Sequence, residues 1–218
     1  MTDRQFRLNR ALSACEFGAQ AAQWVRAHNP ACDAPYHNVF HTETVAMLVA
    51  EAAAYEGLDS AQTSALVLAA LFHDSGHSAG ALPDAQNIEQ AIEDFWVFAS
   101  ATPAMTTQLC AEVIRLIRCT QYPYVTQVND TLSKIMRDAD LMQVLEDSWQ
   151  TQVFVGLYQE MQVSKPGMTS HDFIVGCSRF YAGCRLLSQW GKSKEALFHI
   201  TAQDRCLEML EQLQAEPI

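Results

Sequence analysis

Four of the seven histidines fall in two short stretches. His37 and His41 lie in YHNVFH (36–41), and His73 and His77 lie in HDSGH (73–77), where Asp74 follows His73 directly. Neutral imidazole and carboxylate are ligands for Zn, Mn, Fe or Co. His37 and His41 are four residues apart, so they share a helix face or sit at its entry. The apolar run 65–72 ends on His73 and Asp74. Ionisable groups beside such a run are costly to bury unless they are paired or bind a metal. Adjacent His and Asp can converge on one point where a helix gives way to a loop. A further carboxylate comes from RDADL (137–141), which offers Asp138 and Asp140. Asp138 has Lys134 at i−4, a ready surface ion pair. Asp140 has Met136 and Val144 at i−4 and i+4, both apolar, and is the better inward-facing ligand. Three or four such ligands with positions left open to water make a catalytic centre rather than a structural one.

These residues need helices to position them. Apolar residues recur at three- and four-residue spacing almost throughout, and period-two alternation is nearly absent. The pattern predicts a first helix over 3–28, broken by Pro30 and Pro35 in NPACDAPYHN. A second runs over 39–56, with His41, Val45, Leu48 and Ala52 on one stripe, and Gly57 stops it. Asp59 and Gln62 form a capping box for the third, which is apolar all round and therefore central. A fourth covers 84–100. Thr102 and Pro103 read as the cap and first-turn proline of a fifth that ends near Thr120. Asp130 caps the sixth, a seventh covers 148–163, an eighth covers 170–190 with Gly191 as its stop, and a ninth starts at Ser193. One all-α domain over 1–218 with about nine helices is the expectation. SKPGM (164–168) is the only internal boundary the composition suggests.

The chain has 218 residues, 49% apolar and 18% charged, with net charge −11. That is the profile of a globular domain and excludes disorder and collagen-like chains. The acidic balance and scattered Lys and Arg argue against nucleic acid and anionic membranes as partners. No apolar stretch follows the basic residues of MTDRQFRLNR, so no signal peptide is expected and the chain is read as cytoplasmic. Seven cysteines without a CxxC pair fit reduced, buried thiols. Gly176 and Gly183, with Cys177 and Cys184, form a small-residue stripe that suggests close helix packing within the chain or in a homodimer.

His41, the pair His73-Asp74 and Asp140 in ADL follow the H…HD…D order of the HD-domain superfamily of metal-dependent phosphohydrolases. More narrowly, YHNVFH and HDSGH resemble the HNxxH and HDxxH signatures of class I cyclic-nucleotide phosphodiesterases. IRCT (117–120) is similar to the threonine segment those enzymes place before the last ligand. The resemblance spans residues 36–145, and 148–214 would complete the bundle and pocket. It implies that His41, His73, Asp74 and Asp140 hold a first divalent ion (Zn, Mn, Fe or Mg), with Asp74 bridging to a second. It implies a water deprotonated between the two ions as the nucleophile toward phosphorus. His37 matches the general acid, and His77 matches a residue that hydrogen-bonds the water network. Thr120 and Glu89 match outer positions, with Glu93 competing for the second. The implied substrate is a small phosphorylated compound, a nucleotide or cyclic nucleotide. The purine-clamping glutamine and phenylalanine of that family have no unique counterpart, since Gln150, Gln152, Phe154 and Gln159 are all in range.

Two other functions compete. HD-fold di-iron oxygenases place extra histidines between the HD pair and the last Asp, and this chain has none from 78 to 139. A nucleotide-sensing HD domain without turnover would lose ligands, and here none is lost. Retention of His37 also favours catalysis, because binding alone needs no general acid.

Overall fold

The computed structural model describes residues 2–125 and 127–215. Every regular element among them is helical: α1 (Asp3–Ser13), α2 (Gly18–His28), α3 (Val39–Glu56), α4 (Ser60–Phe72), α5 (Asp84–Ser100), α6 (Thr107–Cys119), α7 (Thr131–Leu141), a 3-10 turn (Met142–Leu145), a π-helix (Gln150–Leu157) running into α8 (Tyr158–Ser164), α9 (Ser170–Gly183) and α10 (Gln189–Ala215). None of these helices is long and apolar enough to cross a membrane.

Helix α4 is the axis of the bundle. Its capping box, Asp59 with Gln62, forms as expected, and residues 65–72 have almost no solvent contact. Helices α2, α3, α5, α6 and α7 pack around it. One hydrophobic cluster runs from Cys15 through α4 to Met209 near the end of α10, so the residues on both sides of SKPGM share a core. Glu43 ties α1 and α2 onto α3. It is buried between Arg4 and Arg26, whose guanidinium groups donate to it at 3.2 and 2.7 Å. A carboxylate at that depth is tolerable because both cations face it.

Five expectations need correction. The first helix is two helices. The chain turns through residues 14–17, and Gly18 lies so close to the Leu12 carbonyl that a Cβ would collide with it. Helix α1 buries Leu8 and Ala11 against Met47 of α3, and α2 buries Ala21, Ala22 and Val25 in the main cluster; both faces are apolar at helical spacing, so the periodicity runs through the break. Thr102 caps nothing. It is buried at the end of α5, where its hydroxyl donates to the Phe98 carbonyl at 3.0 Å, and the cap of α6 is Thr106. Gly191 does not end a helix. It sits in the first turn of α10, and its missing Cβ makes room for the Asp138 carboxylate. Asp138 is therefore no surface partner of Lys134. It is buried and accepts from the Leu187 and Ser188 amides and the Ser188 hydroxyl at 2.6–3.0 Å, which fixes the turn between α9 and α10. The stripe of Gly176 and Gly183 is not close packing within the chain, because a Cβ at either would meet no atom within 4 Å.

Candidate metal centre and active site

The N-terminus of α3 supplies the first ligand candidate. Asn38 accepts from the His41 amide at 3.1 Å and donates its own side-chain amide to the Ala34 carbonyl at 2.8 Å, so one residue caps the helix and anchors the incoming strap. The C-terminus of α4 supplies the second and third. His73 is the last residue with helical backbone bonding, and the chain leaves the helix at Asp74, as the sequence argument requires. Helix α7, capped by Asp130, supplies Asp140 in its last turn.

These four side chains converge. His41 Nε2 lies 3.1 Å from Asp74 Oδ2 and 3.2 Å from Asp140 Oδ1, and His73 Nε2 lies 3.1 and 3.5 Å from the same two atoms. The other face of each imidazole is committed. His73 Nδ1 donates to the Ala70 carbonyl at 2.8 Å, and a carbonyl only accepts, so that nitrogen carries the proton. His41 Nδ1 donates to Gln143 Oε1 at 2.7 Å. Both Nε2 atoms are thereby turned toward the carboxylates. Both are buried, and neither makes a hydrogen bond of acceptable geometry. Two imidazoles held at Nδ1, with unpartnered Nε2 atoms against two carboxylates, form the ligand pattern of a metal-binding histidine pair. The spacing fits a shared cation. Ligand bonds of about 2.0–2.2 Å put neighbouring donor atoms about 3.0 to 3.5 Å apart.

The electrostatics point the same way. Burial alone would disfavour a His41 cation, yet Asp140 and Asp74 outweigh it and push His41 up to about 9. Burial opposes the charged form of His73 too, and Asp74 and Asp140 raise it well above the usual imidazole range. For both carboxylates burial is again the opposing effect, and the two imidazoles hold them well below the ordinary range. With no ion bound, protons on the two imidazoles would therefore do the work of a cation. For His41 the stabilising effect is full below about 6.5 and is lost as pH rises through about 9; for His73 it is likewise lost only above the usual imidazole range. A divalent ion has to displace them. Calorimetric titration with zinc at pH 7 in buffers of different ionisation enthalpy should register release of roughly one to two protons per ion. Affinity should climb between pH 7 and 9 and then flatten. Proton-free, pH-independent binding would mean that other groups hold the ion.

The HDSGH loop is pinned from three directions. Asn29 Oδ1 accepts from the Gly76 amide at 2.8 Å, Ser75 donates to Asp94 at 2.8 Å, and Asn87 accepts from the Ser78 amide at 3.0 Å. Gly76 takes φ +73° with Gln90 packed where a Cβ would project, so no other residue fits there without strain.

A second cluster adjoins the first. His37 Nδ1 donates to Glu160 Oε2 at 2.5 Å, while Oε1 of the same carboxylate accepts from the Tyr36 and His37 amides at 2.7 and 3.0 Å. Burial raises the Glu160 carboxyl, but His37 and the two amides more than compensate and hold it below the ordinary range. His77 stacks on His37 with ring centroids 3.6 Å apart. Its Nδ1 accepts from the Ala79 amide at 3.1 Å, which leaves the proton on Nε2. Burial, and then the neighbouring His37, push His77 down to about 4. His77 is thus a neutral donor at pH 7. His37, His77 and Glu160 are close enough together to hold an ion. The Nδ1 atoms are already committed, that of His37 to the short hydrogen bond and that of His77 to the Ala79 amide, and both Glu160 oxygens are engaged by His37 and two amides, so the carboxylate is less open to an ion here than in the first cluster.

Both clusters face one cavity of about 600 Å³, between the HDSGH loop, α7, α8 and α9, a size suited to a small ligand. His37, Asp74, His77 and Asp140 stand at its polar end, and Thr120 lies in its wall with its hydroxyl donating to the Ile117 carbonyl. Much of the rest is apolar or aromatic, including Tyr36, Met161, Phe173, Phe180 and Tyr181. Glu89 is not part of the site. It is exposed and pairs with Arg118 at 3.2 Å, and Glu93 is exposed as well. The α5 carboxylate that reaches the loop is Asp94. Gln150, Gln152, Phe154 and Gln159 do not line the cavity among the described residues. Two participants were missed by the sequence argument. Glu160 had a usable signal, a carboxylate on the buried stripe of Val153 and Gly156. Gln143 had none, because nothing in DLMQVL marks it as the partner of His41.

No protein-family model, curated protein or solved structure matches this chain.

Proposed function

We propose that the chain is a metal-dependent phosphohydrolase of the HD-domain kind, acting on a small phosphoester of the nucleotide or cyclic-nucleotide class. The observation that carries this reading is the pair of buried, unpartnered Nε2 atoms of His41 and His73, each set against Asp74 and Asp140. His41, His73, Asp74 and Asp140 would hold a divalent ion, which would supply a Lewis acid for a phosphoryl oxygen and lower the pKa of a bound water.

The remaining roles belong to the protein. Glu160 fixes the Nδ1 proton of His37, so a second proton carried at Nε2 is the one available to a departing oxygen. His77 offers its Nε2 proton from the neighbouring ring without taking a charge, which suits it to hold a water or a phosphoryl oxygen in place. The cavity selects for one phosphoryl group. Lys165 is its only Lys or Arg among the described lining residues, and Asp84 and Asp172 add negative charge beyond the ligands. A chain of phosphates would be repelled there, whereas the aromatic wall favours a planar organic group.

The test is hydrolysis of a phosphoester panel by the zinc-, manganese- or magnesium-loaded protein, with bis(4-nitrophenyl) phosphate and 3′,5′-cyclic nucleotides included. The expected result is product release that stops when a chelator is added. Turnover unaffected by chelation, or no turnover of any phosphoester with the ion bound, would overturn the proposal.

A further inference from the structure

Glu160 reaches His37 from a helix that is locally a π-helix, and two glycines flank the contact. The π-helix spans Gln150–Leu157 and passes directly into α8, which carries Glu160. π-turns within helices re-aim the side chains that follow them and recur at functional sites. Here the turn presents Gly156 to the strap that leads into α3. A Cβ on Gly156 would collide with the Pro35 carbonyl and press on the Tyr36 amide nitrogen. That amide and the next one are the two that Glu160 Oε1 accepts. On the other flank, Gly80 has φ +88°, and a Cβ there would collide with the Glu160 carbonyl oxygen. Ala79, which precedes Gly80, is a non-glycine residue at φ +52°, and its amide donates to His77 Nδ1. The strap carrying His37 and the loop carrying His77 thus both close on one turn of helix, and each closes through a glycine.

We propose that Gly156 and Gly80 are positioning residues. Their missing side chains let the π-turn and the 77–80 loop pack closely enough for Glu160 to hold His37 by its ring and by its backbone at once. A larger residue at 156 moves the strap away from the turn, and Glu160 then loses the Tyr36 and His37 amides together with the ring. The fold itself does not depend on this contact, because the core cluster is built around α4.

The inference rests on the reading of His37 as proton donor, and two readouts keep them separable. The first is spectroscopic and needs no turnover. The His37 Nδ1 proton, held by Glu160, should give a far-downfield proton resonance in the wild-type chain, assigned by its disappearance in His37→Gln. Gly156→Ala and Gly80→Ala should each weaken or abolish that resonance while helical signal and zinc binding persist. The second readout is kcat on 3′,5′-cyclic AMP, whose leaving oxygen needs a proton. Each variant should lose roughly tenfold to a hundredfold in kcat with little change in KM, as expected for misplacing a catalytic group by about an ångström. In a Glu160→Ala background, which removes the ring contact and both amide contacts at once, the same substitutions should add less than about twofold, since nothing is left for them to disturb. Absence of the resonance from wild type, its survival in both variants, additive losses in the double variants, or unfolding of both variants would each overturn the inference. If the wild-type protein hydrolyses nothing, the phosphohydrolase reading fails, and the resonance still decides the role of the glycines.

Discussion

Replacing Asp74 with Ala should abolish metal-dependent hydrolysis, with a loss on the order of a thousandfold or more, equivalent to about 4 kcal/mol of transition-state stabilisation. Asp74 Oδ2 sits 3.1 Å from both unpartnered imidazole nitrogens, so the substitution removes the one carboxylate equidistant from both histidines. It also leaves His41 and His73 facing Asp140 alone. The helical signal should survive, because the loop is pinned through Asn29, Asp94 and Asn87 rather than through Asp74 itself. Zinc affinity measured by calorimetry should fall in parallel with activity. A variant that keeps full turnover, or keeps wild-type zinc affinity, would contradict the ligand assignment.

The second large effect belongs to His37. His37→Gln should lower kcat by roughly a hundredfold to ten-thousandfold, the range of a general acid, and should leave the zinc stoichiometry unchanged, because His37 is outside the four-ligand set. The loss should depend on the leaving group. A cyclic nucleotide must protonate a ribose oxygen as it departs, so it should feel the whole effect. Bis(4-nitrophenyl) phosphate expels a stable phenolate that needs little help, so its loss should be much smaller. Equal losses on both substrates would show that His37 acts in binding or in positioning rather than as an acid. Glu160→Gln should follow the same leaving-group pattern with a smaller amplitude, since Gln can still accept the Tyr36 and His37 amides but holds the ring less firmly.

The residues of the candidate site are legible in the sequence for a physical reason. Ionisable groups at the end of an all-apolar run have to be compensated, and that requirement singles out His73 and Asp74 before any coordinates. Asp140 was separable from Asp138 by its apolar neighbours at i±4, and the structure makes the separation sharper than the argument did. Asp138 is the more buried of the two, but its oxygens are consumed by the Leu187–Ser188 turn. The helical bundle followed from period alone. What the period could not show was where one helix becomes two, as at residues 14–17, or which of two nearby threonines is a cap. Thr102 and Thr106 have the same chemistry, and only the Phe98 carbonyl decides between them. The partners of the site were harder still. Gln143 and Asn29 act through single hydrogen bonds across long separations in the chain, and such contacts leave no local pattern. Glu89 illustrates the reverse error, a carboxylate taken from the family resemblance that α5 directs to solvent and to Arg118.

The most direct measurement is anomalous X-ray diffraction from a crystal of the full chain grown with zinc or manganese. An anomalous peak should lie about 2.0–2.2 Å from His41 Nε2, His73 Nε2, Asp74 Oδ2 and Asp140 Oδ1. A peak among His37, His77 and Glu160 instead, or full occupancy elsewhere with these four atoms bare, would contradict the account.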